Sequence, residues 1–590
     1  MLKKFLITVL GSIAGVWIAI GIGVLAMVCL FGAIAQGFSE SKPAGEVQKH
    51  SALWLDLAGN MPERYQPADI WQLLQESEAA GESLVDVLDA IRLAASDSKI
   101  DGIYMTSGAG GGLGAGTAAR EEIVAALRDF KKSGKWIVAY GDTYSQGDYM
   151  LASLADSLYL NPSGSVDVHG VASQVPFFTG LMDKLGVKMQ VVRVGTYKSA
   201  VEPFMAETMS EASREQTTVM VDSIWSYVSG VIGAQRRVTP AAVNGWADSV
   251  SFTWSATRLL DSGVVGSLTY RRLADDAVKD LCGLDTDDDL RLVTPREYMA
   301  SRKPVSAAKK HIAVLVAAGD IVDAGEGGIV AESMVPEILA LADDDNVGAL
   351  VMRVNSGGGS AFASEQIWEA LEYFKSTGKP FYVSMGDYAA SGGYYISCGA
   401  DRIYADHTTL TGSIGVFGMI PDVSGLVTDK LGIRFSTVAT NPNGAVTAPV
   451  EPLNAAQLRG LQASVEDVYD QFTSRVAAGR DMPQDSVKRI AEGRVWTGGS
   501  ALDLGLVDAI GGLRDAVRDI ADESGIDPDK VVYYPDVKAD FLAEFIRSTR
   551  GSVPMGSATV DGSTLRLLRF MDYLQHMPRV QARMMPVEIH

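Results

Sequence analysis

The chain repeats itself. Gly141-Asp142-Thr143-Tyr144-Ser145-Gln146-Gly147-Asp148-Tyr149 aligns with Gly386-Asp387-Tyr388-Ala389-Ala390-Ser391-Gly392-Gly393-Tyr394, and Lys184-Leu185-Gly186-Val187 aligns with Lys430-Leu431-Gly432-Ile433. Further on, Val201-Glu202-Pro203-Phe204 matches Val450-Glu451-Pro452-Leu453, and Asp261-Ser262-Gly263-Val264-Val265 matches Asp503-Leu504-Gly505-Leu506-Val507. A duplication of this kind constrains the fold more than any local pattern, because both copies must build the same unit. With 590 residues the chain is also too long for a single core. The repeat supplies the division: residues 51–305 and 306–540 form the two copies. A tip and apolar segment (1–36) and a stalk (37–50) precede them, and a tail (541–590) follows.

The copies differ at two informative places. Where the second has Ser391 the first has Gln146, and where the first has Lys198 the second has Gly444. If a serine and a lysine work together, each copy has kept one member of the pair, and the two copies make one site between them.

Each copy opens on an apolar run of strand length, Ala52–Leu57 and Ile312–Val316. A second strand (Gly102–Met105; Ala349–Val354) leads into a glycine-rich turn. A helix follows (Ala118–Lys132; Ser364–Ser376), and then a third strand (Trp136–Tyr140; Phe381–Ser384). The alternation predicts an α/β fold with short parallel strands, built twice.

Charge and composition exclude several classes of function. Lys and Arg number 51 against 72 Asp and Glu, a net charge of −21, which would repel a phosphate backbone, so nucleic acid is not expected as a partner. Three cysteines make no disulfide framework. The six histidines are scattered with no H-E-x-x-H among them, and Asp285-Thr286-Asp287-Asp288-Asp289 lacks the glycine and distal glutamate of a calcium loop. Gly108 and Gly110 begin a dinucleotide-type glycine pattern that ends on Leu113, and Lys379 is followed by proline rather than forming a P-loop. No metal or cofactor is expected.

No charged residue interrupts Phe5–Ala35. A helix of about 31 residues would be roughly 46 Å long, enough to cross a hydrocarbon core of about 30 Å. Lys3 and Lys4 precede it, which places the N-terminus in the cytoplasm and the bulk of the chain across the membrane. A cleaved signal peptide ending at Ala33-Ile34-Ala35 is the rival, but its apolar run would be about twice the usual length. The tail, with Met571, Met577, Met584 and Met585 among basic residues, is read as an amphipathic helix that packs on another subunit or on the membrane.

In the second copy, Asn355-Ser356-Gly357-Gly358-Gly359-Ser360 follows a strand and precedes a helix, so its N–H groups can face a ligand carbonyl. Ser391-Gly392 also follows a strand and opens an apolar helix, which makes the pair of turns read as nucleophile plus oxyanion hole; two tight packing turns are the bland alternative. A serine nucleophile needs a base. His407 is the one histidine near it in sequence, and no carboxylate stands out to orient its ring. A lysine serves if burial keeps it neutral, and Lys198 sits among Tyr197, Val201 and Phe204.

Tyr197–Phe204, Ala389–Tyr394, Leu410-Thr411-Gly412-Ser413-Ile414-Gly415 and Gly493-Arg494-Val495-Trp496-Thr497-Gly498 together resemble the long-form signal peptide peptidase A family, also called protease IV, over the chain as far as about residue 540. The resemblance implies two tandem ClpP/crotonase-like repeats behind one transmembrane helix. It also implies a bacterial inner-membrane serine endopeptidase, its catalytic part periplasmic, that degrades cleaved signal peptides remaining in the membrane. Family members form ring- or bowl-shaped homo-oligomers, a tetramer among them. Carried onto this chain, Ser391 is the nucleophile, Lys198 the general base, Gly359 and Gly392 the oxyanion donors, and Ser413 a residue that orients the lysine. The chain departs from the family at Gly357, where proline is common. A crotonase-like acyl-CoA enzyme and a non-catalytic membrane scaffold remain as alternatives.

Overall fold

The computed structural model describes residues 47–65, 81–108, 111–325, 327–446, 450–536 and 580–584. The expected anchor, residues 5–35, lies outside the described residues, as do most of the stalk and most of the tail. Among the described residues no helix is long and apolar enough to cross a membrane.

The first copy is a parallel sheet of β1 (Ser51–Asp56), β2 (Ile100–Ser107), β3 (Trp136–Tyr144) and β4 (Ser157–Val166), with helix α1 (Thr117–Lys131) between β2 and β3 and α2 (Gln146–Ala152) between β3 and β4. Two short strands, Ser267–Leu268 and Leu292–Val293, complete its edges. A further strand, β5 (Lys188–Val194), leaves this sheet for the other copy.

The second copy repeats the plan with β6 (His311–Ala318), β7 (Val347–Ser356), the short β8 (Gly358–Ser360), α3 (Ala361–Ser376), β9 (Phe381–Ala390) and α4 (Gly392–Ser397). Its strand Arg402–Ala405 stands where β4 stands in the first copy, and Ala509–Ile510 and Val531–Tyr534 take the two edges. Over these six strands the order is the same as in the first sheet, and two more, Leu410–Gly412 and Val495–Thr497, bring the second sheet to eight. The inner strands are apolar nearly throughout, as parallel strands covered on both faces must be: Ala313, Val314 and Leu315 of β6 and Leu350, Val351 and Met352 of β7 have no exposed surface. α3 starts at Ala361, earlier than the expected Ser364, because the Ser360 hydroxyl caps it by accepting the Ala363 N–H.

A third sheet joins the copies. Its order is Ile329–Val330, Ile321–Val322, β8, β11 (Gln581–Arg583), β10 (Val416–Asp422) and β5. The tail therefore departs from the helical expectation at 581–583, where it is a strand. Edges on both sides offer it backbone partners, and Gln581 and Ala582 are buried there.

The halves are also clasped through charge. Arg353 on β7 is fully buried and reaches Glu63 (Nε to Oε2, 2.8 Å) and Glu122 (Nη2 to Oε1, 2.5 Å), both from the first copy. Asp387 on β9 accepts the N–H groups of Ala118 and Ala119 at the start of α1.

Candidate active site

β5 and β10 run antiparallel in a register that pairs Val194 with Val416 and Lys188 with Asp422. Lys198 follows Val194 and Ser413 precedes Val416, so both lie just beyond the same end of that ladder, and the pairing delivers the first copy's lysine to the second copy's serines. Lys198 Nζ lies 2.7 Å from Ser391 Oγ, 2.9 Å from the Ser413 carbonyl oxygen and 3.0 Å from Ser413 Oγ. All three residues are buried.

The loop carrying Lys198 is held from the second copy. Thr196 N and Oγ1 donate to Glu492 Oε2, and Tyr197 N donates to the Glu492 carbonyl. Glycine is required alongside: a Cβ at Gly493 would lie 2.6 Å from Lys198 Cβ, and one at Gly415 3.2 Å from Lys198 Cδ. Two motifs that carry the family resemblance, Leu410–Gly415 and Gly493–Gly498, are thus the walls of the lysine's slot.

Burial away from water holds the Lys198 amine well below the ordinary lysine value of 10.5. A neutral amine has two N–H groups and one lone pair. The Ser413 carbonyl can only accept, so it takes one N–H, and Ser413 Oγ can take the other. That leaves the lone pair for the Ser391 hydroxyl to donate into.

Ser391 sits on the abrupt turn from β9 to α4 with φ +56° and ψ −113°, a strained conformation for a residue with a side chain. The Ser391 N–H donating to the Gly412 carbonyl (2.7 Å) and the Tyr395 N–H donating to the Ser391 carbonyl (2.8 Å) hold it there. Gly392 opens α4, so its N–H has no partner within the helix. The Gly359 amide approaches the same spot from β8: a Cβ on Gly392 would lie 3.1 Å from Gly359 N. At Gly358, φ is +100° and the Ser356 hydroxyl accepts the amide N–H at 3.1 Å, so the turn is held by side chain and backbone although Gly357 replaces the family's proline.

The structure thus brings Ser391, Lys198, Ser413, Gly359 and Gly392 together. His407 goes elsewhere. Its Nδ1 lies 2.6 Å from Glu121 Oε1, its ring stacks on Tyr227, and its side chain is 57% exposed. The carboxylate that the sequence did not mark for it is Glu121, from the first copy. Sequence reasoning also missed the Ser413 carbonyl as a lysine partner and Glu492 as the clamp on the lysine loop; no residue pattern marks a carbonyl, and Glu492 was visible only as the neighbour of the Gly493 motif. Among the described residues no group of His, Cys, Asp and Glu is placed to hold a metal ion.

Fold and site define a serine hydrolase whose site is shared between two α/β repeats. The model of Peptidase family S49 matches residues 129–285 and 373–527, one stretch in each copy, and that of Clp protease matches residues 316–409. The chain is 37% identical to Protease 4 of Haemophilus influenzae over 84% of its own length and 82% of that protein. It is 29% identical to the chloroplastic serine protease SPPA of Arabidopsis thaliana (92% and 78%), and 32% identical to a putative signal peptide peptidase SppA of Enterococcus faecium (41% and 71%). The chain belongs to peptidase family S49 and is a serine peptidase with two ClpP-like repeats. These matches carry that reading over the acyl-CoA and scaffold alternatives.

Proposed function

We propose that the protein is a membrane-anchored endopeptidase in which Ser391 is the nucleophile and Lys198 the general base, and that it degrades signal peptides left in the bacterial inner membrane. The observation that carries the chemistry is the 2.7 Å approach of a fully buried lysine amine to Ser391 Oγ. Neutral Lys198 takes the hydroxyl proton as Oγ attacks a peptide carbonyl, and the Gly359 and Gly392 N–H groups receive the developing oxyanion. The lysinium then gives its proton to the leaving amine, and water, activated by the same amine, hydrolyses the acyl-enzyme. Ser413 orients the amine. The substrate class rests on the name of the Enterococcus relative and on the uncharged run at residues 5–35, which would hold the site at the membrane.

The base works only when neutral, so activity is expected to rise with pH through one ionisation below 10.5, the protonated and inactive form prevailing on the acid side. A profile of kcat/KM against pH measures it. Ser413→Ala is expected to keep that ionisation while lowering the plateau by about 10- to 100-fold, a part of what general-base catalysis supplies. A pH-independent rate from the acid side through 10.5 would remove Lys198 as the base.

Topology has its own test. With the N-terminus cytoplasmic and the repeats periplasmic, protease added to spheroplasts should digest the second copy, and the purified chain should retain Met1–Ala35. Protection of that half, or a mature N-terminus at Gln36, would overturn the anchor. Repeat symmetry supports a homo-oligomer. β5 of the first copy pairs with the second copy, whereas the equivalent segment after Lys430 leaves Leu431, Ile433, Phe435 and Val438 exposed, a face for the next subunit's first copy. Light scattering on the detergent-solubilised chain would show a closed oligomer; a monomer would exclude it.

A further inference from the structure

Between Val194, where β5 ends, and Ser199, where the short turn Ser199–Phe204 begins, Lys198 belongs to no helix or strand. Glu492 holds the near side of this loop through Thr196 and the Tyr197 N–H. The far side rests on the long helix Glu211–Arg236 of the first copy. That helix is tied to the lysine's own turn. The buried Glu202 accepts the Ser210 N–H (3.2 Å) and hydroxyl (2.6 Å), and the same hydroxyl accepts the Ser213 N–H to cap the helix. Less than two turns further on, the helix presents Gln216 to the loop.

Gln216 is buried, and both ends of its amide are engaged. Nε2 donates to the Tyr197 carbonyl (3.1 Å) and to Ser199 Oγ (3.0 Å), while Oε1 accepts the Val495 N–H (3.1 Å). The orientation of the amide follows from these partners, since a carbonyl can only accept and an N–H can only donate. One neutral side chain therefore grips the residues on both sides of Lys198 and joins them to the Gly493–Gly498 motif that walls the lysine's slot. The neighbouring Glu215 adds an outer layer. It accepts the Tyr197 hydroxyl (3.0 Å) and pairs with Arg494 (2.9 Å), whose guanidinium lies 4.6 Å from the Tyr197 ring centre and 4.4 Å from that of Trp496. Glu215 is half exposed, so its pairing is weak beside that of the buried amide.

We infer that Gln216 is a positioning residue for the peptidase reaction: it seats the Lys198 loop against the slot so that the amine meets Ser391, acting through the loop rather than on substrate. The inference rests on the reading of Lys198 as general base. Without the amide, the Tyr197 carbonyl and the Val495 N–H lose their partner inside the protein, and the loop must shift toward water to satisfy them. Displacing a reacting group by about 1 Å costs about 100-fold in rate. Water admitted beside the amine also removes the desolvation that keeps it neutral. The charged groups facing the loop are Glu202, Glu215, Glu492, Arg494 and Arg193, whose Nη1 donates to the Lys198 carbonyl (3.3 Å). All five are kept when Gln216 is changed.

The test compares Gln216→Met, which keeps the bulk and removes every hydrogen bond, with Gln216→Asn, which keeps the amide on a stem one carbon too short to span Tyr197 and Val495. The Asn variant serves if the Met protein does not fold. Ile232→Val, buried near the far end of the same helix, controls for loss of stability alone, and Lys198→Ala controls for the catalytic reading. On an unstructured apolar peptide, both Gln216 variants should lose about 100-fold in kcat with KM within about twofold of the parent. The ionisation seen in kcat/KM against pH should move up toward 10.5. Ile232→Val should lower the urea midpoint and leave kcat and the ionisation as in the parent. A kcat within about threefold of the parent, a loss confined to KM, or a loss of kcat with the ionisation unmoved would each overturn the inference while Lys198→Ala stays inactive. A Lys198→Ala protein that keeps its turnover would instead bring down the base assignment on which the inference stands.

Discussion

Ser391→Ala, Lys198→Ala and the double variant are expected to fall to the same residual rate, each roughly 10⁴-fold or more below the parent in kcat, because groups acting together in one transition state are strongly non-additive. The two side chains meet at 2.7 Å although 193 positions separate them. Either one alone is inert: the hydroxyl without a base stays protonated, and the amine without a hydroxyl has nothing to activate. Lys198→Arg should not recover activity, since a guanidinium does not give up its proton and is too large for the slot walled by Gly415 and Gly493. Single-turnover rates on an unstructured apolar peptide measure all four proteins. A Lys198→Ala protein with near-parental turnover, or a multiplicative double variant, would show that the two do not act as a unit.

The second large effect is on stability. Arg353→Met is expected to destabilise the protein by about 3–5 kcal/mol, the cost of stranding buried charges whose partner is gone. In the parent, Arg353 also donates to Ser384 Oγ (2.9 Å) and the Met385 carbonyl, while Glu122 accepts the Leu513 N–H and Glu63 accepts Asn355 Nδ2. Burial already pushes the Glu122 carboxyl above its ordinary value of 4.5, with Arg353 pulling it back down. Removing the guanidinium lets it rise further. A carboxyl whose folded value is raised contributes most to stability below its unfolded value and loses that contribution as pH rises through the folded one. The deficit of Arg353→Met should therefore widen from about pH 5 to pH 8, as read from urea midpoints. A deficit under 1 kcal/mol, or one that narrows with pH, would show that the cluster does not clasp the halves. Activity should fall along with the clasp, because Lys198 reaches Ser391 only while the two copies stay docked.

His407 and Lys198 show how far sequence reading goes. Both were candidate bases. Comparison of the two repeats favoured the lysine, because each copy lacks what the other keeps, and the structure puts the lysine amine on Ser391 and ties the histidine ring to Glu121. At 581–583 the tail departs from the expected helix for a related reason. The strand at Gln581–Arg583 forms because distant edges at Gly358–Ser360 and Phe417 supply the hydrogen bonds.

Whatever depends on near neighbours, or on comparing one copy with the other, is legible in the residues alone. The alternating strands and helices come from apolar runs and glycine turns, the duplicated plan from the matched motifs, and the nomination of Ser391 and Lys198 from their reciprocal loss. Tertiary structure alone decided whether that lysine is buried enough to be neutral, which carbonyl would hold its protons, and which carboxylates would meet Arg353. It also decided which side chains would hold that lysine's loop. The physical reason is the same in each case: desolvation and hydrogen bonding act over a few ångströms of space, and the groups concerned are hundreds of residues apart until the register of β5 on β10 and the packing of one copy on the other close the distance.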